Sequence, residues 1–155
     1  LLNRFPRLLA LVTSHRPATA MVSASAARVS ISTAFDAGNI QLVEQRGEIA
    51  RLKIKPDPFT ELEKKNHMQW FAFRATLATG DTAPTKYEIV NAGDVSFPAA
   101  WKDTEVCASH DLKTWSRVAS TRFDEARQAL CWEWHHTAAA PTTYFAYFDL
   151  YPYER

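Results

Sequence analysis

The groups from which a catalytic or metal site could be built in this chain are five histidines, two cysteines and seventeen acidic residues. The histidines stand at positions 15, 67, 110, 135 and 136. A peptidase-type zinc site needs two ligands at helical or hairpin spacing, a carboxylate and a more distant histidine. Neither His-x-x-Glu nor His-x-x-x-His occurs. His135 and His136 are adjacent, so on a strand they point to opposite faces and do not both reach one metal. Cys107 and Cys131 fall on strands expected to pair, which would bring them close together. Buried free thiols are expected there rather than a disulfide. Glu44, Glu88 and Glu133 sit inside strands, where two carboxyls could share acid–base work. Solvated strand faces account for them more simply. The sequence lacks a Gly-x-Ser-x-Gly elbow, a P-loop and a Gly-x-Gly-x-x-Gly turn, and its four glycines leave little from which to build a phosphate cradle. No catalytic, cofactor-binding or metal-ligating residue is therefore assigned within these 155 residues.

One local pattern carries a defined geometry. Ser109-His110-Asp111-Leu112-Lys113-Thr114-Trp115 reads Ser-x-Asp-x-x-Thr-Trp. An aspartate that accepts backbone N–H bonds nucleates a tight turn, and the tryptophan then packs under the hairpin. Similar turns recur in glycan-binding sandwiches, so a carbohydrate-binding module stands as the alternative function. A plain hairpin with a core tryptophan is the simpler reading.

The elements that must position these groups read as strands. Val29, Ile31 and Thr33 alternate with polar residues, and Ile40–Glu44 and Ile49–Ile54 follow across turn signals at Gly38-Asn39 and Arg46-Gly47. Pro56 and Pro58 stop pairing, and Glu61–Lys65 is expected to wind one helical turn. From His67 to Leu77 the alternation puts Phe71, Phe73, Ala75 and Leu77 on one face and Trp70, Ala72, Arg74 and Thr76 on the other. Lys86–Val90, Thr104–Ser109, Trp115–Ala119, Leu130–His135 and Thr143–Phe148 complete the set. No segment keeps an i, i+3, i+4, i+7 stripe over three turns. About nine short strands imply an all-β antiparallel sandwich over residues 28–155. Its core would be rich in the five Trp, five Tyr and nine Phe of the chain.

Charge separates the N-terminus from the rest. Residues 1–35 carry Arg4, Arg7, Arg16 and Arg28 and no acid, whereas the whole chain is nearly neutral at +1. Residues 1–27 are expected to be a disordered leader, because they bury too little to offset their ordering entropy. If residues 1–20 are a genuine leader they resemble an organellar transit peptide; otherwise Met21 marks the natural start. A net charge of +1 provides no field for steering nucleic acid, and no apolar run approaches the ~20 residues that span a bilayer. Neither nucleic acid nor membrane is an expected partner.

Five runs, in order, resemble one family. They are Phe35-Asp36-Ala37-Gly38-Asn39, then His67-Met68-Gln69-Trp70-Phe71-Ala72-Phe73, then Val90-Asn91-Ala92-Gly93 with Phe97-Pro98-Ala99-Ala100-Trp101. Ser109-x-Asp111 with Trp115 follows, and Tyr144-Phe145-Ala146-Tyr147-Phe148 leads to Tyr153-Glu154-Arg155. These are similar to the landmarks of the N-terminal β-sandwich domain of cytosolic carboxypeptidases, zinc peptidases that include the tubulin deglutamylases. The resemblance implies a cytoplasmic accessory domain. Zinc, its ligands, the general-base glutamate and the substrate-carboxylate arginine would all belong to a catalytic α/β domain expected after Arg155. None of those residues carries over to this segment. The ending Pro152-Tyr153-Glu154-Arg155 is shorter than the Pro-Tyr-Ser-x-Glu-Arg of bacterial relatives. Six aromatics crowd residues 144–153. A small core does not readily bury both faces of such a segment, so Phe148, Tyr151 and Tyr153 are expected to dock on the catalytic domain.

Overall fold

Ten strands form among the described residues, and five of them carry aromatic rings. The computed structural model describes residues 27–151 apart from Thr60, Asn66, Thr79 and Asp81. The expected leader, save Ala27, and the expected docking residue Tyr153 lie outside the described residues. The strands are β1 (Val29–Ser32), β2 (Gln41–Arg46), β3 (Ile49–Lys53), β4 (Ala72–Leu77), β5 (Thr85–Ile89), β6 (Cys107–Ser109), β7 (Ser116–Arg117), β8 (Arg122–Asp124), β9 (Ala129–Trp134) and β10 (Thr142–Ala146). One helical turn, α1 (Glu61–Lys64), stands where it was expected. The first sheet runs β1-β4-β10-β6-β7 and the second β2-β3-β5-β9-β8. All pairings are antiparallel except β3 with β5, which is parallel. The chain reaches β5 from β3 only after passing through β4 of the opposite sheet.

The expected strand over His67–Leu77 begins at Ala72 instead. Met68 is tied to a loop rather than to a strand: Ser96 N donates to Met68 O (2.8 Å) and Met68 N to Ser96 Oγ (3.2 Å). Two 3-10 segments, Ala92–Asp94 and Pro98–Asp103, fill a stretch that sequence patterning left irregular. β8 went unread because three residues are too few to show alternation.

The core lies between the sheets. Phe71, Phe73 and Phe145 from the first sheet side meet Tyr87, Leu130 and Trp132 from the second, all fully or almost fully buried. Phe73 lies 5.3 Å from Phe145, 5.8 Å from Tyr87 and 6.2 Å from Trp132, ring centre to ring centre. Such aromatic contacts add roughly 0.5–1.5 kcal/mol each beyond area burial. A polar link crosses this core. Tyr87 Oη and His136 Nε2 are 2.7 Å apart, His136 Nδ1 lies 3.5 Å from Thr143 Oγ1, and Trp134 Nε1 donates to Thr143 Oγ1 at 3.0 Å. Burial, reinforced by the field of His110, pushes the His136 imidazole down to about 4, so it sits there neutral.

Carboxamide side chains close gaps where the ladders stop. Asn91 accepts from Ile54 N and donates to Ile54 O, both at 3.0 Å. Gln45 does the same for Val29, its nitrogen 2.9 Å from Val29 O and its oxygen 3.1 Å from Val29 N. Each clasp satisfies both backbone groups of a buried core residue. Asn39 ties Lys55 O (3.0 Å) to Trp70 O (3.1 Å) through one amide nitrogen. The turn before it needs Gly38, since a Cβ there would strike the Thr33 carbonyl oxygen.

Candidate interdomain surface

Apolar side chains continue past the core onto the outer face of the first sheet. Phe145 pairs with Phe73 and Ala146 with Ala72 in register. The phenylalanines point into the core, so the two alanines point outward. Both are nevertheless buried, because Leu150 folds back over them together with Phe35, Trp70, Leu112 and Trp115. Trp70 is fixed by its indole nitrogen, which donates to Ala37 O at 2.8 Å. Phe35 meets Tyr144 edge to face at 5.3 Å.

At the end of β10 this cluster opens to solvent. Tyr147 N returns a bond to Phe71 O at 3.1 Å. The ring of Phe148 then lies 4.7 Å from Trp70 and remains 51% exposed, and Tyr151 is 87% exposed. Beside them a cleft of about 660 Å³ lies between Trp101, Lys102, Arg117, Arg122, Tyr147 and Phe148. Arg117 is steadied by a bond from Nη1 to Glu105 O (2.7 Å), and Lys102 by Glu125 (2.9 Å). An aromatic floor with charged walls suits a protein surface with both apolar and polar groups.

The sequence-derived candidates fall elsewhere. Cys107 lies on β6 of the first sheet and Cys131 on β9 of the second, so the two do not pair and are not neighbours on adjoining strands. The expectation fails because strand partners follow topology, which alternation does not encode. Both are buried free thiols. Desolvation, then the bond to Asp149, pushes Cys107 up to about 11, and burial likewise raises Cys131, leaving neither reactive. His136 is buried and His135 exposed, on opposite faces as their adjacency requires. Glu44 and Glu88 do come together, but over Arg51, at 2.8 and 3.2 Å. Burial would raise Glu88, yet Arg127 and Arg51 outweigh it and hold the carboxyl below its ordinary range. These are ionised partners of arginine, not an acid–base pair. Among the described residues no three His, Cys, Asp or Glu side chains gather as metal ligands. The donors among the described residues do not fit zinc. Among the described residues no helix is long and apolar enough to cross a membrane.

The Asp111 turn forms as expected. Its carboxylate accepts from Thr114 N at 2.7 Å and Lys113 N at 2.9 Å, and these bonds draw it down to about 2. Trp115 packs on the outer-face cluster rather than in the core between the sheets. The planes of Trp70 and Phe148 meet at 56° and those of Tyr147 and Phe148 at 49°. A sugar ring stacks on a coplanar platform, which these rings do not make.

Residues 31–148 match the cytosolic carboxypeptidase N-terminal domain. The chain belongs to that family. An uncharacterized protein of Zymomonas mobilis is 32% identical over 125 residues, covering 81% of this chain and 30% of that protein. A metallo-carboxypeptidase from Burkholderia cenocepacia superposes with a TM-score of 0.68 at 32% identity, over 82% of this chain and 30% of its own. A metallo-carboxypeptidase from Pseudomonas aeruginosa, solved with (2-guanidinoethylmercapto)succinic acid, gives 0.69 at 30% identity, over 81% and 31%. This N-terminal domain thus spans less than a third of the length of these relatives. The runs that carry the family likeness converge in space. Phe35, Trp70, Trp115, Tyr144 and Phe148, from four separate runs, sit on the outer face and rim of the first sheet. Sequence patterning singled out Phe148 and Tyr151, which are exposed, and placed Trp70 outward, but it missed the cleft, whose lining comes from segments far apart in the chain.

Proposed function

We propose that this segment is the accessory domain of a cytoplasmic zinc carboxypeptidase, packing on a catalytic domain that follows it. There it stabilises the catalytic domain and shapes access to its cleft, while zinc and the hydrolytic groups belong to the domain that follows. The observation that carries this reading is the exposed aromatic rim of Phe148 and Tyr151. Contiguous exposed apolar groups mark interaction sites. Metallo-carboxypeptidase relatives about three times as long supply the candidate neighbour. Hydrogen exchange of residues 147–151 in the full-length protein, compared with this segment alone, tests it. Slower exchange in the full-length protein is expected. Equal rates would overturn the docking role.

A further inference from the structure

Phe97 is 64% exposed, far more than the other large side chains held by carboxamide clasps. Gln69 holds it: Phe97 N donates to Gln69 Oε1 at 2.9 Å, and Gln69 Nε2 donates to Phe97 O at 3.4 Å. This is the arrangement by which Asn91 grips Ile54 and Gln45 grips Val29, whose side chains are 2% and 1% exposed. Twice the clasp secures a residue that fills the core. The third time it secures a phenylalanine that fills nothing in its own domain. Pro98 follows at once and begins a 3-10 turn, which fixes the backbone on the other side as well.

The position matters as much as the rigidity. Gln69 clasps Phe97, and the next residue, Trp70, packs against Phe148 with its ring tilted. Two exposed phenylalanines are thus held by consecutive residues of one segment, and one of them, Phe148, stands three residues before the exposed Tyr151. We infer that Phe97 is a preformed anchor, an aromatic side chain that inserts into an apolar pocket of the catalytic domain following this segment. The inference rests on the docking reading above and goes beyond it by naming the residue that fixes orientation. An anchor held rigid before contact forfeits little side-chain entropy on binding, and buried aromatic anchors dominate interface energetics.

The test uses the full-length protein and hydrogen exchange of residues 147–151, with exchange in β4 and β5 as the measure of the domain's own stability. Phe97→Ala is expected to speed exchange at the rim about ten-fold or more while β4 and β5 keep their wild-type rates. Phe97→Trp is expected to keep most of the rim protection, and Gln69→Ala to give a smaller acceleration than Phe97→Ala. Phe148→Ala is the control for docking itself. If Phe148→Ala speeds rim exchange and Phe97→Ala does not, the anchor is overturned and docking stands. If Phe97→Ala accelerates β4 and β5 as much as the rim, the ring serves its own fold and the anchor is again overturned. If rim exchange in the wild type already equals that of the segment alone, the docking reading fails and takes the anchor with it.

Discussion

The two sheets share one core, yet their outer faces are built from opposite materials. The second sheet's outer face is a charge lattice. Glu88 is gripped by Arg51 (3.2 Å) and Arg127 (2.9 Å), Arg51 reaches Glu44, Arg127 reaches Asp124 (2.8 Å), and Lys86 meets Glu48 (2.7 Å). The first sheet's outer face holds Ala72, Ala146 and Leu150 under Phe35, Trp70 and Trp115. A sandwich alone in water needs only the first kind of face, since one buried face per sheet satisfies the core. Apolar packing on the far side of one sheet adds stability locally and leads without a break to the exposed rim at Phe148.

Changes to the shared core set the upper limit for any difference between the faces. Phe71→Ala and Phe73→Ala are each expected to cost roughly 3–5 kcal/mol in a denaturant melt, because both rings are fully buried. A near-neutral result for either would place that ring outside the core and undo the division into inner and outer faces. Acid should loosen the link between the sheets next. His136 bridges Tyr87 of the second sheet and Thr143 of the first, with His110 the other imidazole near it. Its imidazole titrates near 4 when folded, against an ordinary 6.5. The unfolded chain takes up the proton first, so stability is full above pH 6.5 and falls as pH drops toward 4, by on the order of 3 kcal/mol. Denaturant melts across that window check it, and His136→Gln should flatten the slope.

The faces themselves separate at smaller energies. Leu150→Ala should cost about 2–3 kcal/mol, a core-like penalty at a position outside the core. Glu88→Gln on the opposite face should cost about 1 kcal/mol or less and lose its effect in high salt. Equal costs at the two sites would erase the contrast between the faces.

Much of this was legible in the residues. Alternation located the inward face of Phe71 and Phe73, because a period of two is a local property that any single strand displays. The same alternation placed Ala72 and Trp70 outward, and that also holds. What it did not reveal is that the outward face is covered, since Phe35 and Leu112 reach it from segments far away in sequence. Cys107 and Cys131 illustrate the same limit, as adjacency of strands is decided by topology. The parallel pairing of β3 and β5 was hidden too. Of the candidate surface, Tyr151 was readable as an aromatic in excess of what a core holds, whereas Gln69 and Phe97 form a contact across 28 residues that no local pattern announces.

The place of β10 has a consequence for how the domain comes into being. It is the last strand among the described residues and the middle strand of its sheet, between β4 and β6. Until Thr142–Ala146 have been synthesised, the sheet exists only as two separate pairs, β1 with β4 and β6 with β7. Pairs of strands are marginal in water, so nothing of this half of the sandwich becomes secure before its final segment arrives. Non-local pairing of this kind folds slowly and leaves apolar edges open while it waits. Closure and the exposure of Phe148 and Tyr151 therefore fall within a few residues of each other on the ribosome. A chain that stops before Thr142 should be a client for chaperones, and one that extends past Tyr151 and has cleared the ribosomal exit tunnel a folded domain with its aromatic rim bare.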